Sequence, residues 1–80
     1  MLEQLKSAEK VIGAKQVTRA VKNGSVSCVY LARNAEPKVI EPIMRQCSQA
    51  EVTTEMVETM EQLGRACGIA VGSAVVAVLK

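Results

Sequence analysis

Three cations at a regular spacing mark the stretch of this chain that is best suited to binding chemistry. Lys15, Arg19 and Lys22 follow one another at intervals of four and three residues, so a helix would present them on one face. The apolar residues of the same stretch fall on the opposite, core-facing side: Val17, Ala20 and Val21. Such a cationic face suits nucleic acid. The competing interpretation is an ordinary solvated helix, because charged outer faces are the rule.

The start of this predicted helix offers neutral polar groups as well. The Gln16 amide can both donate and accept hydrogen bonds. Gly13 precedes the first turn, whose backbone N–H groups have no partner within a helix, and glycine has no side chain to block an approaching ligand. The pattern indicates a place where polar atoms of a ligand could meet the helix.

Composition limits the kinds of nucleic-acid site that are available. The 80 residues predict a single domain, spanning residues 1–80, with a modest core. Apolar residues make up 49% of the chain, but Tyr30 is its one aromatic residue. The aromatic platforms on which many single-strand binders stack bases are therefore excluded.

Charge is distributed unevenly along the chain. Residues 1–45 hold eight Lys or Arg against four Glu, whereas residues 46–80 hold two against four. The net charge is only +2, far from the dense basic charge of proteins that bind DNA nonspecifically. We expect one face to meet an anionic partner, and we do not expect that partner to be DNA.

The groups needed for catalysis or metal binding are not assembled in this sequence. The chain has no His, and Cys28, Cys47 and Cys67 are widely spaced among apolar neighbours. Such cysteines are typical of core residues in a reducing compartment rather than of disulfides or a zinc site. No Gly-x-x-x-x-Gly-Lys phosphate loop occurs. We expect a protein that is not an enzyme and has no cofactor or metal.

Nothing in the sequence predicts export or membrane insertion. The chain shows no charged-then-apolar leader with a small-residue cleavage site. The apolar run 69–79 is far shorter than the roughly 20 residues of a membrane helix. We expect a cytoplasmic protein.

Helical and extended patterns alternate along the whole chain. Helical spacing is found in residues 2–9, 15–22, about 37–48 and 60–67. The β-rich stretches are residues 11–12, 26–32, 51–57 and 74–79. This alternation predicts an α/β fold, a three-layer α-β-α sandwich around a small mixed sheet of about four strands. The nearly continuous apolar character of residues 26–32 indicates a central strand that is covered on both faces.

Local signals set the ends of several of these elements. Asn23-Gly24 should end the first basic helix, and Pro37 suits the first position of the next one. Pro42 should bend that helix. Its predicted core face is Val39, Ile40, Ile43, Met44 and Cys47. Thr59 and Gln62 have the spacing of a capping box, and Gly68 should end the last helix.

Three short motifs stand in a fixed order along the chain. They are Gly-Ala-Lys-Gln-Val-Thr-Arg-Ala-Val at 13–21, Ala-Arg-Asn-Ala-Glu-Pro at 32–37 and Leu-Gly-Arg-Ala-Cys-Gly at 63–68. Together they resemble three parts of the kink-turn RNA-binding ribosomal proteins of the archaeal L7Ae type. The first motif resembles the Gly-x-Asn-Glu-x-x-Lys helix of that family, the second its loop before the long helix, and the third its most distinctive run. The resemblance covers residues 3–79, and Lys and Gln in the first motif are closest to the bacterial YbxF-type members.

This resemblance implies a non-enzymatic protein that recognises and stabilises kink-turns in structured RNA as a monomer, and that is ribosome-associated or similar to a ribosomal protein. The RNA contacts it implies are Gly13, Ala14, Lys15, Gln16, Arg19, Lys22, Asn34, Glu36, Ile69, Ala70 and Val71. In the family, the first motif reads paired guanine–adenine mismatches. The residue before the proline and the loop after the third motif meet an extruded nucleotide.

Three residues of the first motif depart from the archaeal pattern. Lys15 and Gln16 stand where archaeal members have Asn and Glu, so the acidic acceptor is absent. Arg19 stands where they have Lys, and arginine offers a bidentate contact with guanine O6 and N7.

The alternative function is that of a protein-interaction module, which binds a protein instead of RNA. The basic helix and the apolar loop would then dock on a protein partner. Glu36 would be a helix-start charge favoured by the dipole, and Ile69 and Val71 would anchor their loop to the core. A steep loss of affinity with salt would indicate phosphate contacts, whereas an apolar protein interface lacks that dependence.

Overall fold

The computed structural model describes residue 5 and residues 8–80, and within them the chain forms four strands and three helices. In chain order these are β1 (Lys10–Ile12), α1 (Ala14–Lys22), β2 (Val26–Ala32), α2 (Pro37–Ala50), β3 (Thr53–Val57), α3 (Met60–Ala66) and β4 (Val75–Leu79). The strands form one mixed sheet in the order β1-β4-β2-β3. β2 and β3 are parallel, and β4 is antiparallel to both of its neighbours.

The strand directions bring the connecting loops to one edge of the sheet. β1, β2 and β3 run in one direction and β4 runs against them, so the ends of the first three strands lie at the same edge of the sheet as the start of β4. In the observed register Ile12 pairs with Val76, and Leu31 pairs with Val75. We call this side of the sheet, formed by residues 13, 33–36, 58–59 and 67–74, the loop edge. Each of the three described helices begins there.

Helices cover both faces of the sheet. α1 and α2 pack against each other on one face, and α3 packs against β2, β3 and β4 on the other. This is the α-β-α sandwich that the sequence predicts. The largest fully buried side chains are Leu5, Val17, Val29, Leu31, Cys47, Leu63, Val75 and Val76. The core is thus aliphatic, as a chain with one aromatic residue requires.

Most of the predicted element boundaries are confirmed. β2 spans Val26–Ala32 in the middle of the sheet, and Pro37 is the first residue of α2. Gly24, with φ of 71°, follows the end of α1 in the left-handed region. The Thr59 hydroxyl accepts a hydrogen bond from the Gln62 backbone N–H at 3.1 Å and so caps α3.

The predictions for α2 and β3 need correction. α2 continues to Ala50, two residues beyond the predicted end, and Glu51 closes it in the left-handed conformation with φ of 58°. β3 therefore starts at Thr53 and not at residue 51. Met44 is 42% exposed, because the buried stripe of α2 is limited to Ile40, Ile43 and Cys47 and Met44 lies beside it.

Ser73 and Leu5 add to the buried residues outside the main elements. Ser73, in the loop before β4, is buried, and its hydroxyl donates to the Val75 carbonyl at 3.0 Å. The predicted helix 2–9 falls largely on residues 2–4, 6 and 7, which lie outside the described residues. Leu5, which is described, is buried in the core.

Candidate nucleic-acid interface

Three segments from the motif regions meet at the loop edge: the start of α1, residues 33–36 and the loop that follows the third motif. The first and the last are more than fifty residues apart along the chain. Gly13 donates its backbone N–H to the Val75 carbonyl at 3.1 Å, which joins the start of α1 to the start of β4. The Arg33 N–H donates to the Val57 carbonyl at 2.7 Å, which joins the loop before α2 to the end of β3. Tertiary contacts thus position all three segments.

The first segment is the start of α1. Gly13 has φ of 105°, a conformation that L side chains rarely adopt, and its carbonyl accepts the first helical hydrogen bond from Val17 at 2.9 Å. Ala14 is half-buried. The polar and charged candidates that follow are all exposed: Lys15, Gln16, Arg19 and Lys22. The predicted separation into a buried apolar face and an exposed cationic face is confirmed.

The second segment is the loop of residues 33–36. Asn34 is exposed, and its side-chain Oδ1 accepts a hydrogen bond from the Met60 backbone N–H at 2.8 Å. Asn34 therefore fastens this loop to the start of α3, which is a structural role that the sequence did not indicate. Glu36 is exposed beside it and pairs with Lys38 at 3.3 Å. In an exposed pair, each partner remains available to a ligand.

The third segment is the loop between α3 and β4. Val71 is 71% exposed and Ala70 is also exposed, so an apolar surface faces solvent there. Ile69 differs from Val71, since it is half-buried and packs against the core. The RNA contact that the resemblance implies for this loop needs apolar side chains that face outward, and of these two residues only Val71 does so.

Gly64 determines how closely this loop lies against α3. A Cβ at position 64 would overlap the backbone carbonyl oxygen of Val71 and crowd the Cα of Gly72. The Gly64 carbonyl also accepts a hydrogen bond from the Ile69 N–H at 3.1 Å. Sequence reasoning treated Gly64 as part of a motif and missed this contact, because nothing in the local spacing shows where the loop returns.

A recess of about 310 Å³ lies under the loop. Residues 69–72 form one side of it, and Glu61 and Arg65 of α3 form the other. Both charged side chains are exposed. Sequence reasoning missed them as candidates, although their i, i+4 spacing on one helix face was a usable signal.

Helix capping differs among the three described helices that begin at the loop edge. α3 is capped by Thr59, whereas α1 and α2 have no side-chain hydrogen bond at their N-caps, Gly13 and Glu36. The first turns of α1 and α2 contain no acidic residue either. Free N–H groups in the first turn of α1 and the positive end of each helix dipole therefore add to the cations of α1. The electrostatics favour an anion at the start of α1, whereas the Glu36 carboxylate already lies at the start of α2.

The described cysteines offer little reactive chemistry. Burial raises the pKa of the Cys47 and Cys67 thiols, and burial together with the nearby Glu55 carboxylate raises that of Cys28. A raised pKa keeps a thiol protonated and weakly nucleophilic. Within residues 5 and 8–80, no cluster of His, Cys, Asp or Glu is arranged to hold a metal ion. In the same part of the chain, no helix has the length and apolarity to cross a bilayer.

The fold and this site define a class: a small α-β-α domain in which loops and two helix starts without side-chain caps lie at one edge, beside the cations of α1 and an apolar loop. The model of the ribosomal protein L7Ae/L30e/S12e/Gadd45 family matches residues 2–80, and the chain belongs to that family. This confirms the resemblance seen in the three motifs.

Individual relatives agree with the family assignment. The chain is 40% identical to the RNA-binding protein YbxF of Geobacillus stearothermophilus over 76 residues, which is 95% of this chain and 93% of the relative. It is 42% identical to an RNA-binding protein of Caldanaerobacter subterraneus over 69 residues, 86% of this chain and 84% of the relative. A solved structure of a protein of unknown function from Bacillus halodurans C superposes with a TM-score of 0.91 at 28% identity, covering 99% of this chain and 83% of that one.

Proposed function

We propose that this protein binds structured RNA, that its target is the kink-turn, and that it acts as a non-enzymatic monomer that stabilises the bent form. The observation that carries the proposal is the meeting of three sequence-distant segments at the loop edge: the start of α1, residues 34–36 and residues 69–71. Relatives that align with nearly the whole chain are named RNA-binding proteins. Association with the ribosome and a cytoplasmic location are part of the same proposal.

The loop edge supplies different groups for different parts of the RNA. Gln16, in the first turn of α1, and Arg19, in its last turn, are exposed and read base edges in the groove of the paired mismatches, Arg19 through guanine O6 and N7. Lys15 and Lys22, on the same helix, neutralise phosphates. Single-stranded bases stack on flat side chains in many RNA complexes, and here an extruded base would instead lie on exposed Val71 and Ala70 with Glu36 at its edge.

A kink-turn RNA with donor and acceptor dyes at its two ends tests the proposal. In metal-free buffer the RNA is extended, and a protein with higher affinity for the bent state shifts the population towards it. We expect titration with the protein to shorten the donor–acceptor distance. An unchanged distance at saturating protein would refute the kink-turn assignment.

Three variants of α1 separate base reading from general electrostatic attraction. Arg19→Ala and Gln16→Ala should each weaken binding by about 1 to 3 kcal/mol, while Lys22→Ala should cost less and chiefly reduce the salt dependence. All three side chains are exposed, so thermal melting should remain close to that of the wild type. Equal and small losses for the three variants would contradict base reading at this helix.

A protein-interaction module remains the second candidate, and the 71% exposure of Val71 is the observation that favours it. An apolar side chain this exposed next to a recess is a feature of protein-docking sites as well as of nucleotide sites. Salt separates the two functions. Binding through phosphates weakens steeply as salt rises, whereas docking through Val71 on a protein would change little.

A further inference from the structure

A groove on the outer face of the domain extends away from the loop edge between α1 and α2. Its volume is about 570 Å³. Thr18 of α1 and Val39 and Pro42 of α2 lie along it. The Gln46 side-chain Nε2 donates to the Thr18 carbonyl at 3.0 Å and ties the two helices together. Because this contact joins the helices directly, the groove exists in the free protein.

The walls of this groove carry four cations. Lys15, Arg19 and Lys22 stand on successive turns of α1, and Lys38 stands across from them on α2. Among the described residues that line the groove, none has a carboxylate. The Glu36 partner of Lys38 lies outside the groove, and both side chains of that ion pair are exposed. An exposed pair of this kind is worth at most about 1 kcal/mol, so a phosphate can readily draw Lys38 away from Glu36.

The groove is continuous with the proposed RNA site. Lys15, in the first turn of α1, and Arg19, in its last turn, line the groove and also belong to the proposed RNA site. The apolar side chains along the groove, Val39 and the rigid ring of Pro42, are suited to the carbon face of a sugar. Cations on two opposing walls with apolar groups between them match the alternation of phosphate and ribose in a nucleic-acid backbone.

We propose that the groove between α1 and α2 binds the sugar-phosphate backbone of an RNA arm that continues beyond the bent loop, with Lys22 and Lys38 contacting phosphates from opposite walls. This inference rests on the proposed function and extends the RNA surface of the domain beyond the three motif segments. It makes Lys38 an RNA-binding residue and predicts that the length of RNA next to the kink affects affinity.

The test compares two double variants on two RNAs. Lys22→Gln/Lys38→Gln removes two charges from the groove, and Arg45→Gln/Lys80→Gln removes two exposed charges that do not line it. The RNAs are a kink-turn with minimal arms and the same kink-turn with each arm lengthened by one helical turn. Affinity is measured as a function of salt, and thermal melts check that both variants fold.

For the long-armed RNA, we expect the groove variant to reduce the slope of log affinity against log salt by roughly 1 to 2, since each lost phosphate contact reduces it by about 0.7 to 0.9. The control variant should change the slope by much less, and the groove variant should have a smaller effect on the short-armed RNA. Equal slopes for the two double variants would overturn the proposal, and the groove would then be assigned to a protein partner. An equal effect of the groove variant on both RNAs would overturn it as well.

Affinities of the wild-type protein test the proposed function separately. If the wild type fails to prefer either kink-turn RNA over a plain duplex, the proposed function is refuted and the groove proposal with it. If the wild type selects the kink-turn but the groove variant behaves like the control, the groove proposal alone is refuted.

Discussion

Substitution of Gly64 by alanine tests the packing of the loop before β4 on α3, because two opposing effects meet at this position. In an exposed helix, Gly→Ala would stabilise the protein by about 1 kcal/mol through helix propensity. Here the new Cβ would overlap the Val71 carbonyl oxygen and lie 3.1 Å from the Gly72 Cα, so backbone must move. Forcing extra volume into a packed site costs about 1 to 3 kcal/mol.

The steric cost should exceed the propensity gain, since Gly64 is buried and its carbonyl also holds the Ile69 N–H. We expect Gly64→Ala to lower the free energy of unfolding by about 1 to 2 kcal/mol in urea titrations. Displacement of Val71 should also weaken RNA binding in the folded variant.

Ala66→Gly is the matched control for this prediction. It lies on the same helix and should cost about 1 kcal/mol through helix propensity, without pushing on the loop. We expect it to bind RNA like the wild type once it is folded. A Gly64→Ala variant that is as stable as the wild type and binds RNA equally well would refute the reasoning, because the loop would then have moved at no cost.

Three further predictions follow from individual side chains. Val71→Ala should weaken RNA binding and leave the melting temperature nearly unchanged, because Val71 is exposed. Ile69→Ala should also lower stability, by roughly 1 kcal/mol, because Ile69 packs on the core. A normal melt for Ile69→Ala would contradict this. Thr59→Ala should cost about 1 kcal/mol in urea unfolding through loss of the α3 cap, with Thr59→Ser as control, and equal loss in both would rule out the hydroxyl as its cause. Burial raises the pKa of Cys47 above its ordinary value of 9.0, so above about pH 9 the unfolded chain releases a proton that the folded chain retains, and stability falls as pH rises. Subtracting the pH profile of Cys47→Ala from that of the wild type should isolate this fall, and parallel profiles would contradict it.

The sequence by itself determined the elements and which side of α1 is buried. Local signals suffice for this, because a helix repeats its faces every three to four residues and glycine or proline marks its ends. Val17 and Val21 are buried and Pro37 begins α2, as predicted. Local spacing was less reliable where a neighbour decides the outcome, as for Met44, which lies just beside the buried stripe of α2.

The tertiary structure alone decided how the candidate site is assembled. Strand order and direction bring residues 13–16, 33–36 and 69–71 to one edge, and this depends on hydrogen bonds between strands that are distant along the chain. The contact of Gly64 with Val71 and the hydrogen bond of Asn34 to Met60 have the same origin. The groove between α1 and α2 also forms through packing of two helices separated in sequence. A linear pattern records which residues share a helix face, but contacts between separate elements are set by the free energy of the whole packed core.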